Sequence, residues 1–128
     1  MIHHLIEAKK KAILAAFKSK GTGRARNFRV GACIFNHKII IAKENTYKTH
    51  PFALKYSPYP YLHAETNCLV SAGLDNCKGC DIIIVRLKRD KSLSMALPCL
   101  SCLRSLRYVG IRNIYYSDWN GNIQKLGK

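Results

Sequence analysis

Residues 81–87, "DIIIVRL", constrain the fold more than any other stretch of this chain. Ile82, Ile83, Ile84 and Val85 are consecutive β-branched residues with no polar alternation, the pattern of a strand covered on both faces. A sheet with such a strand at its centre needs helices above and below it. The remaining elements are therefore read for what could cover it.

Leu5, Ile6, Ala12, Ile13, Ala16 and Phe17 recur at helical spacing with Lys9, Lys10, Lys11 and Lys18 between them, so an amphipathic helix is predicted over residues 3–19, ended by "KGTG". "FRVGACIF" alternates Val30, Ala32 and Ile34 on one face, and "NHK" turns the chain into "IIIA", a hairpin pattern. After a long connection rich in Pro and Tyr, Glu65, Cys68, Leu69 and Ala72 fall at i, i+3, i+4 and i+7 of a second helix, with Gly73 as its stop. Pro98 opens a third helix, with Cys99, Cys102, Leu103 and Leu106 inward and Gly110 as terminator. "IRNIYYSD" is a further strand, and "WNG" turns the last residues back as a short edge. The order α-β-β-α-β-α-β predicts an α/β fold, a three-layer α/β/α sandwich on a mixed central sheet.

A chain of 128 residues, 48% hydrophobic, is large enough for one core, so a single domain over residues 1–128 is expected. Charge interrupts the apolar positions of the N-terminus every few residues. It therefore reads as neither a signal peptide nor a membrane span, and a soluble cytoplasmic protein is expected. The 22 basic residues outnumber the seven acidic ones, giving a formal charge of +15, and from Ala8 to Lys43 there are ten Lys or Arg and no Asp or Glu. Such a field attracts nucleotides, nucleic acid or other phosphorylated partners. It serves equally well as a solvated, solubilising surface.

Against that scarcity of acid, Glu65 is conspicuous on the inward face of its helix. His63 stands two residues before it, and Cys99 and Cys102 open the third helix. One imidazole and two thiolates fill three of zinc's four tetrahedral positions and leave the last for water. A carboxylate beside that position can take a proton from the bound water and hand it to a leaving amine. The chemistry this favours is attack on an amidine-like carbon with loss of ammonia. Any one piece alone has a blander reading, a capping histidine or a chance C-x-x-C. Together, His63-Ala64-Glu65 and Pro98-Cys99-Leu100-Ser101-Cys102, each at a helix start, reproduce the pattern H-x-E…P-C-x-x-C.

In these motifs, and in "RVGACIF", "AKEN" and "GIRNIYYSD" in the same order, the chain resembles the zinc-dependent cytidine/deoxycytidylate deaminase superfamily. The resemblance implies a cytidine deaminase-like fold, a Zn2+ cofactor held by His63, Cys99 and Cys102, and Glu65 as general acid and base. It also implies that Asn45, closing the second strand, contacts the sugar or base of the substrate, and that the Ala64 backbone N–H faces the base's carbonyl. Histidine as the first ligand is similar to the dCMP, tRNA-adenosine and polynucleotide cytidine deaminases. The segment from Asn45 to Glu65 resembles small phage-encoded deaminases, for which the host cytoplasm is the expected location. Homo-oligomers are common among the relatives with nucleotide substrates.

The substrate expected is a cytosine nucleotide such as dCMP. The alternative is cytosine in single-stranded DNA or RNA, motivated by the basic N-terminal third and by Tyr47, Phe52, Tyr56, Tyr59 and Tyr61, which could stack bases. A short tail after Trp119 leaves little room for the C-terminal helix of tRNA-adenosine deaminases, which favours cytosine over adenine. A rival outside enzymology pairs Cys77 and Cys80 with Cys99 and Cys102 as a four-cysteine zinc ribbon, a basic nucleic-acid-binding module. It leaves His63 and Glu65 without a role.

Overall fold

The computed structural model describes residues 2–21, 29–46 and 62–127. In chain order the elements are α1 (Ile2–Lys18), β1 (Arg29–Phe35), β2 (Ile39–Glu44), α2 (Ala64–Ala72), α3 (Leu74–Cys77), β3 (Asp81–Leu87), β4 (Leu93–Ser94), α4 (Leu100–Val109), β5 (Asn113–Ser117) and β6 (Ile123–Lys125). The sheet runs β2-β1-β3-β5-β6, with β4 pairing to the end of β3. β3 pairs antiparallel with β1 and parallel with β5, so the sheet is mixed and the β-branched run lies at its middle. Six of the seven β3 residues are buried.

Alternation along the strands divides the core in two. Ala32, Ile34, Ile82 and Ile84 face Ala64, Cys68, Leu69, Cys77 and Leu106, placing α2, α3 and α4 on one side. Cys33, Phe35, Ile83 and Val85 face Ala8, Ala12 and Ala16 of α1 on the other. The three-layer α/β/α sandwich is therefore the observed architecture.

α1 buries most of the expected face: Ala12 and Ala16 are buried and Leu5 and Ile13 pack partly buried against the same cluster, joined by Ala8, while Ile6 and Phe17 are exposed. The sheet beneath sets how closely this face sits: a Cβ on Gly31 would lie 1.9 Å from the Ala12 carbonyl oxygen and 2.5 Å from the Ala16 nitrogen. Backbone meets backbone there, and only alanines facing a glycine permit so close an approach.

Two elements were missed. The four-residue α3 follows directly on Gly73 (φ +90°), and the two-residue β4 is too short to show a period. A hydrogen-bonded node joins the starts of β3 and β5. Buried Asp81 accepts from the Arg112 side chain at 3.3 and 3.2 Å and from the Asn113 backbone and side-chain amides at 3.1 and 3.0 Å. Among the described residues no helix is long and apolar enough to cross a membrane.

Candidate metal centre and active site

His63 and Cys99 occupy equivalent places, the N-cap positions of α2 and α4, both with extended backbone (φ −70°, ψ 155° and φ −68°, ψ 167°). An N-cap is normally a Ser, Thr, Asp or Asn whose side chain accepts a backbone N–H of the first turn, worth about 1 kcal/mol. Neither residue makes such a cap bond. Their side chains turn towards each other instead: His63 Nδ1 lies 3.7 Å from Cys99 Sγ and 3.1 Å from Cys102 Sγ. Two helix starts thus forgo capping so that their donors can converge.

The donor atoms of His63, Cys99 and Cys102 all lie within 4.8 Å of one another, the one such grouping of three or more potential ligands among the described residues. Zn–N and Zn–S bonds of about 2.1 and 2.3 Å at tetrahedral angles set nitrogen and sulfur roughly 3.6 Å apart. The observed separations bracket that value, so the donor set fits a zinc ion in both chemistry and spacing. Cys77 and Cys80 are not part of the grouping. Their thiols bond to the Gly73 and Asn76 carbonyl oxygens at 3.4 and 3.5 Å, and Asn36 Nδ2 donates to Cys80 Sγ at 3.7 Å. The four-thiolate arrangement required by a zinc ribbon is therefore not formed.

The electrostatics suit a cation. Hydrogen bonding from Cys102 holds the Cys99 thiol down to about 3 against the opposing effect of burial, with His63 and Ser101 assisting. Cys102, which keeps its proton for Cys99, is raised by that bond and by burial. Burial depresses the His63 imidazole, but its bond to Cys99 and the charge of Glu65 outweigh this and leave it raised. The positive ends of two helix dipoles add to the preference for thiolate at this spot. Two hydroxyls absent from the sequence reading touch the thiols: Ser101 Oγ is 3.1 Å from Cys99 Sγ, and Thr66 Oγ1 is 3.9 Å from Cys102 Sγ.

Glu65, in the first turn of α2, is only 5% exposed. Burial raises its pKa, while the His63 charge, its own backbone amide and Cys102 pull the other way. Ala64, also buried, precedes it. Asn45 directly follows β2 and is buried, its side-chain oxygen accepting from Ser19 and from the Val30 N–H. Thr46 and Leu62 exchange both backbone hydrogen bonds, at 2.9 and 2.8 Å, and in that antiparallel register Asn45 stands opposite His63. Sequence-proposed Tyr47, Phe52, Tyr56, Tyr59 and Tyr61 lie outside the described residues.

Three protein donors are the number found at a catalytic rather than a structural zinc, and the buried carboxylate of Glu65 stands in the first turn of the helix that His63 opens. Fold and site together define a zinc-type hydrolase on a three-layer α/β/α sandwich. Residues 4–118 match the family model for the cytidine and deoxycytidylate deaminase zinc-binding region, and the chain belongs to that family. It is a deaminase of the cytidine/deoxycytidylate type, from a zinc-binding family. Among solved structures it is similar in fold to the dCMP deaminase of cyanophage S-TIM5 in its apo form, with a TM-score of 0.59 and 20% identity, over 89% of this chain and 82% of that one. No curated protein matches the chain.

Proposed function

We propose that the chain hydrolyses the exocyclic amine of cytosine in a mononucleotide such as dCMP: water adds its oxygen at the amidine carbon, ammonia leaves, and uracil remains. The observation that carries this is a carboxylate, Glu65, buried against a His/Cys/Cys donor set. His63, Cys99 and Cys102 hold Zn2+, which when bound supplies the Lewis acidity that makes water nucleophilic at neutral pH. Glu65 takes the proton from the attacking water and delivers it to the departing nitrogen. Its raised pKa suits that transfer, because a carboxyl nearer neutrality both accepts and releases a proton more readily. The Ala64 N–H, at the N-terminus of α2, donates to the base's carbonyl oxygen, and Asn45 contacts the sugar or base. The similarity to a protein named as a dCMP deaminase supports the mononucleotide.

A second reading, cytosine within single-stranded DNA or RNA, is favoured by the outer side of α1. Lys10, Lys11, Lys18 and Lys20 are exposed there, with Leu14 (57%) and Phe17 (47%) between them and Lys91 Nζ 5.7 Å from the Phe17 ring centroid. Basic side chains around apolar and aromatic groups suit a single strand. For homo-oligomers the support is Leu97 and Leu100, exposed beside Cys99, which a second copy would cover.

Zinc-loaded protein is offered cytidine, dCMP, dCTP, single-stranded DNA and single-stranded RNA, with deamination read by mass spectrometry. Turnover of dCMP with no dependence on strand length is the expected result. Turnover of oligonucleotides alone would overturn the mononucleotide in favour of the strand.

A further inference from the structure

Two serines of α4 use their hydroxyls differently. Ser105, which is buried, bonds back along the helix, donating to the Ser101 and Cys102 carbonyl oxygens at 3.1 and 2.9 Å, the usual mode for a serine inside a helix. Ser101 stands in the first turn, where the residues three and four behind it, Pro98 and Leu97, precede the helix and offer no helical carbonyl. Its Oγ lies instead 3.1 Å from Cys99 Sγ. The hydroxyl beside the second thiol is more distant, with Thr66 Oγ1 3.9 Å from Cys102 Sγ. Either partner of the Ser101–Cys99 contact can donate while both hold a proton. A sulfur that ligates a metal is a thiolate and only accepts, so in the metal-loaded protein the serine is the donor.

We infer that Ser101 is a positioning residue of the metal centre: its hydroxyl donates to the Cys99 thiolate, holds that sulfur in place beside His63 and Cys102, and draws charge from it. This rests on His63, Cys99 and Cys102 binding a metal, and not on which base is deaminated. A ligating imidazole is oriented by an acceptor for its second N–H; a ligating thiolate, which has only lone pairs to offer, is oriented by a donor. Hydrogen bonds to an ionised partner are among the stronger ones, so a single hydroxyl suffices to restrain the sulfur. Cys99 has the greater need of that restraint, because Cys102 is buried while Cys99 is only half-buried. A thiolate that gives up charge to a hydrogen bond donates less to the metal, which leaves the ion a stronger Lewis acid.

Cobalt(II) in place of zinc reports on the sulfur directly, because its thiolate-to-metal charge-transfer band moves to lower energy as the thiolate becomes more electron-rich. The test loads wild type, Ser101→Ala, Ser101→Thr and Ser105→Ala with cobalt(II), records that band, and measures zinc affinity by competition with a chelator. Ser101→Ala removes the donor at a half-buried first-turn position where alanine is the better helix former, so the fold is retained. Its band is expected at lower energy than that of the wild type, and its zinc to be bound about tenfold more weakly. Ser101→Thr, which keeps the hydroxyl, should restore both. Ser105→Ala loses a hydroxyl of the same helix that bonds to backbone, and should leave band and affinity at the wild-type values. An unmoved band or unchanged zinc affinity in Ser101→Ala, a threonine variant shifted as far as the alanine one, or an equal shift in Ser105→Ala would overturn the inference. A cobalt-loaded wild type with no such band would instead refute the metal centre itself.

Discussion

Replacing Gly31 with alanine tests the link between the α1 layer and the site. The new Cβ would sit 1.9 Å from the Ala12 carbonyl oxygen and 2.5 Å from the Ala16 nitrogen, both helix backbone that no rotamer change can clear. Restoring ordinary contact moves α1 outwards by roughly 1.5 Å, enough to forfeit much of the dispersion attraction along Ala8, Ala12 and Ala16. Overpacking costs about 1–3 kcal/mol, and an obstacle made of backbone puts this case near the upper end. For a chain of this length about 3 kcal/mol lowers the melting temperature by about 10 °C. The displaced end of α1 would also carry Ser19 away from Asn45, to which its hydroxyl donates. Thermal unfolding of zinc-loaded Gly31→Ala by circular dichroism reads the first effect. A melting temperature within about 2 °C of wild type would refute the close backbone approach.

Asp81→Ala should destabilise by about 2 kcal/mol in urea titration, because four hydrogen bonds to a carboxylate are lost while Arg112, 56% exposed, can rehydrate. A loss below about 0.5 kcal/mol would mean the node contributes nothing beyond a surface pair. In metal-free protein at about pH 6, iodoacetamide should modify Cys99, held down to about 3, well before Cys33, pushed up to about 12, or Cys77, pushed up to about 11. Zinc should protect Cys99, and uniform labelling in a peptide map would contradict the assigned thiolate. His63→Ala should lose stoichiometric zinc by atomic absorption while Cys77→Ala keeps it; the reverse pattern would revive the ribbon.

The site was more legible than the layer opposite it. His63, Glu65, Cys99 and Cys102 were visible because zinc chemistry dictates residue types and the helix starts dictate spacing, and the β-branched run of β3 announced the sheet. What escaped was set by contacts between residues distant in the chain. On α1, Ala12 and Ala16 lie inward as expected, but Ile6 and Phe17, expected inward with them, are exposed, and Ala8 is buried. Ser19 gave no local signal, since its partner Asn45 is 26 residues away. Thr66 and Ser101 sat within or beside the motifs but acquired meaning only when their hydroxyls were found against the ligand thiols. Spacing also suggested a ribbon that β3, running between the two cysteine pairs, does not allow to close.

The reading depends above all on Glu65 moving the proton while the His/Cys/Cys set holds the metal. The direct measurement is uracil formation from dCMP by zinc-loaded wild type beside Glu65→Gln, with zinc quantified in both. The account predicts equal zinc, product from the wild type and essentially none from the variant. Equal rates at equal zinc would contradict it.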